Sequence, residues 1–172
     1  MNRETENKEK TCIIEMFRIK TDEMFHSIEG MDAREIENMV WDFIQTTIDE
    51  NSLDAEIVDV VILESRCRGL EKIDSDLDAV LEYKGNIRED TFFDILQETE
   101  MKLGGVNVDI NPITEGKTGT LGDYLLEIEK HLEQKLSVRE KRYSVIDRIK
   151  RQKDRIQSVD NKQFVNRVDK DR

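Results

Sequence analysis

Two aspartates one residue apart, Asp76 and Asp78, follow an apolar run and a short arginine-bearing segment in ILESRCRGLEKIDSDLDAVLEY, residues 62–83. Side chains of a strand alternate between its faces, so Asp76, Asp78 and Val80 fall on one face and Leu77, Ala79 and Leu81 on the other. Two ionised carboxylates about 7 Å apart along one face repel each other unless a cation sits between them. Magnesium suits such a pair, because it takes carboxylate oxygens and keeps positions open for substrate phosphates. A later segment, VNVDINPI (106–113), repeats the pattern: Asn107, Asp109 and Asn111 point one way, and Val106, Val108 and Ile110 the other. If the two strands are neighbours, Asp109 joins Asp76 and Asp78 in a three-carboxylate metal site. Two metals held there would activate a nucleophile and steady a leaving pyrophosphate.

The third part of the constellation precedes the aspartates. Ser65, Arg66 and Arg68 lie in the turn after the apolar run, and Gly69 relaxes the backbone. A turn that enters a helix presents N–H groups which, with a hydroxyl and guanidinium forks, hold phosphate well. Ser65 is equally an ordinary helix-capping residue, and the two roles are compatible. The order of strand, Ser-Arg turn, Asp-x-Asp strand and single-Asp strand is a layout for phosphoryl or nucleotidyl transfer.

The elements that must position these groups follow from periodicity. After a disordered start, residues 11–30 are apolar at helical spacing, with Ile13, Phe17, Met24 and Phe25 as anchors and Gly30 at the end. Asp32 with Glu35 reads as a capping box for a helix carrying Ile36, Val40, Phe43, Ile44 and Ile48 on one side. EIVDVVILE (56–64) is a buried strand and DLDAVLEY (76–83) a second, with KGN as a turn. Residues 88–103 are predicted as one helix with Phe92, Phe93, Ile95 and Leu96 inward, closed by Gly104 and Gly105. VNVDINPI is the third strand, stopped by Pro112, and the helix after it carries Leu121, Tyr124, Leu125, Ile128 and Leu132. Thr120 and Asp123 cap that helix. Gly116-Lys117-Thr118 is not a phosphate loop, because Asn111 stands where that motif needs its first glycine.

This alternation predicts an α/β (α+β) domain, a small mixed sheet flanked by helices, with a C-terminal helical extension. The divisions are an N-terminal segment 1–31, a domain 32–136 and a basic helical tail 137–172, partly disordered. The formal charge of −12 hides an asymmetry. The tail carries 12 Lys+Arg and 6 Asp+Glu, net +6, which leaves −18 on the remaining 136 residues. An acidic body does not attract nucleic acid, so any such contact falls to the tail, which offers itself more readily to a protein partner. No run is long enough to span a membrane, MNRETENKEK is no secretion signal, and Cys12 and Cys67 form no disulfide framework. A cytoplasmic protein with no membrane contact is expected.

SRCRG, followed by five residues and SDLD, resembles the GSRARG…SDxD signature of minimal nucleotidyltransferases in the DNA polymerase β-like superfamily, and VDINPI resembles that family's third-aspartate strand. The resemblance spans roughly residues 32–135 and is strongest between Leu63 and Tyr83. Its wording is similar to nucleotidyltransferase-like domains carried by conjugative mobile elements of Gram-positive bacteria. The resemblance implies a DNA polymerase β-like nucleotidyltransferase fold, a nucleoside triphosphate such as ATP, and Mg2+ or Mn2+. It implies transfer of a nucleoside monophosphate to a hydroxyl on a protein, an RNA or a small molecule. Ser65, with Arg66 and Arg68, would hold the triphosphate. Asp76 and Asp78 would bind both metals, and Asp109 would be ligand and general base.

The chain departs from the signature at Glu64, where the family has glycine. A carboxylate about 4 Å from a phosphate oxygen costs about 4 kcal/mol at an effective dielectric near 20, before screening. The alternative expectation is therefore a catalytically degenerate scaffold that acts by binding a partner, as a toxin-neutralising or defence-related protein of a mobile element.

Overall fold

The computed structural model describes residues 3–63, 75–138, 141, 146, 147 and 150, with side chains from Thr11 onward. The chain divides into two compact units, Met1–Leu132 and Glu133–Arg172. In the second unit, 133–138 and the four later described positions are helical, with Val138 and Ile146 exposed.

The first unit runs α1 (Arg3–Met24), α2 (Ala33–Asn51), β1 (Ala55–Ile62), β2 (Leu77–Gly85), α3 (Glu89–Thr99), β3 (Met101–Leu103) and β4 (Val106–Ile113). A fourth helix, α4, begins at 121. The sheet has the order β1-β2-β4-β3: β1 runs antiparallel to β2, β2 parallel to β4, and β3 antiparallel to β4. The architecture is thus mixed α/β, a four-stranded mixed sheet with helices, as the alternation predicts.

Local chemistry sets most boundaries. Asp32 and Glu35 form the expected reciprocal capping box at the start of α2. Ser52, with φ 51°, ends that helix in the left-handed region. Thr120 and Asp123 exchange hydrogen bonds at the start of α4, as expected.

Several expectations change. Helix α1 starts at Arg3, within the stretch read as disordered, and ends at Met24, six residues before Gly30. The helix expected over 88–103 stops at Thr99. Glu100 takes a positive φ of 42°, which breaks the helix, and Met101–Leu103 form a strand of their own. Gly104 and Gly105, both at positive φ, make the tight hairpin turn into β4 and are not a helix cap. Phe93, expected inward, is 39% exposed.

Pro112 does not end its strand either: β4 reaches Ile113, with Pro112 opposite Leu81. Strand β3 covers only 106–108, so Pro112 has a neighbouring strand on one side alone, where a missing N–H is tolerated.

Each face of the sheet has its own core. One is built by Ile36, Val40, Ile44 and Ile48 of α2 and Phe92 and Leu96 of α3, packed on Leu77, Ala79, Leu81, Val108 and Ile110. Tyr83 meets Phe92 edge to face at 5.1 Å. The other face packs Val61, Leu63, Val80 and Ile113 against Phe17 of α1 and Leu121, Leu125 and Leu132 of α4. A bulge between Ile57 and Asp59 lets Ile57 and Val60 both join the α2 side, and it leaves Asp59 for α1.

Strand β1 is an edge strand, and side chains take the outer polar groups at its Val60–Ile62 end. Glu37 accepts from the Ile62 N–H (3.3 Å) and from Arg18 Nε (3.1 Å). Arg18 also donates to Asp59 (2.6 Å) and to the Val60 carbonyl (3.0 Å). At that end the side chains stand where a further strand would have to pair. Burial pushes the Glu37 carboxyl up, and the Arg18 charge and the Ile62 N–H only partly offset it.

Candidate active site

The parallel register of β2 and β4 fixes the central geometry. Asp78 lies opposite Asp109, with Ala79 opposite Ile110 and Val80 opposite Asn111. Opposed residues of adjacent strands point the same way, and the strands lie about 4.8 Å apart. Asp78 and Asp109 are therefore neighbours on the α1–α4 face, at the margin of its apolar core beside Leu63. Asp78 is half-buried and Asp109 exposed. The expected alternation of β4 holds, with Val108 and Ile110 buried and Asn107, Asp109 and Asn111 exposed.

Strand β1 delivers the chain to the same place. The Leu63 N–H donates to the Asp78 carbonyl at 2.7 Å, and the next residue is Glu64. Ser65, Arg66 and Arg68, with Glu64, lie outside the described residues. Asp76 is exposed just before β2 and accepts from Asn107 Nδ2 at 3.3 Å. Among the described residues no group of three or more His, Cys, Asp and Glu side chains gathers closely enough to hold a metal ion. What the register brings together is the pair Asp78 and Asp109, with Asp76 in the next row beside Asn107.

The pair opens onto a cavity of about 270 Å³. Its polar lining is Asp78, Asp109 and Asn111, and its apolar lining comes both from the sheet, with Leu63, Val80 and Ile110, and from the helices, with Phe93, Tyr124 and Ile128. Two hard carboxylate ligands with open space in front can hold one divalent cation and leave its remaining positions to phosphate oxygens.

The wall from α4 is fixed by groups that sequence patterning reads as solvated. Glu82, farther along the same face of β2, accepts from the Leu121 N–H at 2.7 Å and so pins the first turn of α4. Glu89, at the start of α3, is buried and gathers the loop before α4. It accepts from the Thr114 N–H, the Thr114 hydroxyl and the Thr118 hydroxyl, each at 2.7 Å, and pairs with Lys117. Burial raises the Glu89 carboxyl, but those three donors and the Lys117 charge outweigh it and hold it below the usual glutamate range. Gly116-Lys117-Thr118 thus serves a carboxylate of its own chain. Nothing in the sequence marks Glu82 or Glu89, because each finds its partner 25 or more residues away.

Among the described residues no helix is long and apolar enough to cross a membrane. Compared with family models, with curated proteins and with solved structures, the chain matches none.

Proposed function

We propose that this chain is a small divalent-metal-dependent nucleotidyltransferase-like domain on a DNA polymerase β-like scaffold. It would move a nucleoside monophosphate from a nucleoside triphosphate to a hydroxyl of a protein, an RNA or a small molecule. One observation carries the reading: Asp78 and Asp109 stand side by side in one cavity, and the chain leaves β1 for Ser65 through a residue bonded to Asp78. The chemistry requires both a phosphate-holding segment and a metal-holding pair, and Leu63, two residues before Ser65, is bonded to Asp78.

In this mechanism Asp78 and Asp109 hold the cation, with Asp76 completing the set if it leaves Asn107. Ser65, Arg66 and Arg68 hold the triphosphate. The bound Mg2+ or Mn2+ supplies positive charge against the departing pyrophosphate. Asp109 takes the proton of the acceptor hydroxyl as its oxygen bonds to the α-phosphorus. The bond from that phosphorus to the bridging oxygen breaks, and pyrophosphate leaves. The test is pyrophosphate release from a nucleoside triphosphate with magnesium or manganese. Asp76→Ala and Asp109→Ala should abolish release; turnover that persists in both would end the assignment.

A second reading, a degenerate scaffold that works by partner binding, is favoured by Glu64 and by Asp76 being engaged with Asn107. It predicts that Glu64→Gly restores metal-dependent ATP binding that the native chain lacks. It also predicts that removing 137–172, the basic segment, loses partner capture.

A further inference from the structure

We infer that the α4 side of this cavity is a nucleobase-stacking subsite, with Tyr124 as the stacking ring and Asn111 as the group that meets the edge of the base. The inference rests on the nucleotide reading above and adds where the base lies and what holds it. Asp78, Asp109 and Asn111 line the cavity from the sheet, where Leu63 lies beside Asp78, while Tyr124 and Ile128 line it from α4 and Phe93 from α3. A site for a metal and inorganic phosphate alone has no use for a hydrocarbon wall. A ligand matching both linings has a metal-bound polyanionic end and a flat apolar end, and a nucleoside triphosphate is such a molecule.

The two described central tyrosines differ in the way this requires. Tyr83 is fully committed to the fold: its ring packs on Phe92 and its hydroxyl donates to the Ile87 carbonyl at 2.8 Å. Tyr124 makes no ring–ring contact and no hydroxyl hydrogen bond among the described residues; it packs half-buried against the α1–α4 core and lies along the cavity. It is nonetheless held on a rigid element. Leu121 and Leu125 anchor its helix in the core, and Glu82 fixes the helix start. An aromatic ring held this way loses little entropy when a base covers it, and every base presents a π-face. Asn111 stands on the exposed face of β4, where its amide offers both a donor and an acceptor.

The test compares magnesium-dependent binding of ATP and of inorganic tripolyphosphate by calorimetry, in the native chain, Tyr124→Phe and Tyr124→Ala. The native chain should bind ATP on the order of 10- to 100-fold more tightly than tripolyphosphate. Tyr124→Phe should keep that advantage, and Tyr124→Ala should lose it with tripolyphosphate binding unchanged. Equal affinity of the native chain for both probes would overturn the subsite and leave the metal-phosphate reading standing, and that comparison needs no variant to fold. ATP binding unchanged in Tyr124→Ala would overturn it as well. Binding of neither probe by the native chain would remove the nucleotide reading and this inference together.

Discussion

The two faces of the sheet are built from the same strands and have different tasks. On the α2–α3 face, apolar residues cover the strands from Leu77 to Tyr83 and along Val108 and Ile110, and burial there is nearly complete. On the α1–α4 face, the apolar patch of Val61, Leu63, Val80 and Ile113 is flanked by Asp78 and Asp109 on one side and by Glu82 toward α4. One residue of register separates Asp109 from Ile110, yet one is exposed and the other is 2% exposed. Stability is concentrated on one face, and the other gives up burial where a cavity and its carboxylates sit.

Substitutions can break that contrast, and the largest effect belongs to the closed face. Phe92→Ala removes a fully buried ring and its edge contact with Tyr83, and should cost about 4 kcal/mol in chemical denaturation. A loss under about 1 kcal/mol would mean that the α2–α3 face is not the main core. Next comes the guarded edge of β1. Arg18→Ala removes the closest cation from the buried Glu37 carboxylate, leaving it Arg34 and the Ile62 N–H, and frees the Val60 carbonyl, and should cost about 3 kcal/mol by the same measurement.

Glu89→Gln should cost about 2 kcal/mol at neutral pH, because the charged acceptor of three hydrogen bonds becomes a neutral amide. The sign with pH is set by the lowered native pKa. The Glu89 contribution is present above the unfolded value of about 4.3 and is lost as pH falls through the native one, so native and variant stabilities should converge in acid. Glu37 works in the opposite sense. Its raised native pKa favours the fold below about pH 4.3, and that contribution disappears as pH rises through the native value. Denaturation of Glu37→Gln across the same range should therefore show the native chain losing ground to the variant as pH rises.

The smallest stability effect should fall on the open face. Asp109→Asn removes one of two adjacent carboxylates that make no apolar core, and should leave stability unchanged within about 0.5 kcal/mol or slightly raise it. A clear loss of stability in the metal-free protein would give Asp109 a structural role and weaken its place in the site.

The sequence carried those parts of the fold that depend on local chemistry. The Asp32–Glu35 box, the buried stripe of α2 and the alternation along β4 are all read from neighbours within a few positions. So were the facings of Asp78 and Asp109, which need only the two-residue period of a strand. Their adjacency required the parallel register of β2 and β4, which no local pattern specifies. Met101–Leu103 carry no strand signal because three residues are too few to show alternation, and a glycine pair serves a hairpin as readily as a helix end. Glu37, Glu82 and Glu89 stand at positions where a charge ordinarily faces solvent. Their tasks emerge only when β1, α4 and the 114–119 loop come to meet them.

The central claim is that Asp78 and Asp109 share a divalent ion and through it bind nucleotide. It is tested most directly by titrating ATP into the native chain and into the Asp78→Asn, Asp109→Asn double variant, with magnesium and with chelator. Saturable binding to the native chain is expected only when magnesium is present, and none to the variant under either condition. Equal affinity in native and variant proteins, or binding indifferent to chelation, would contradict it.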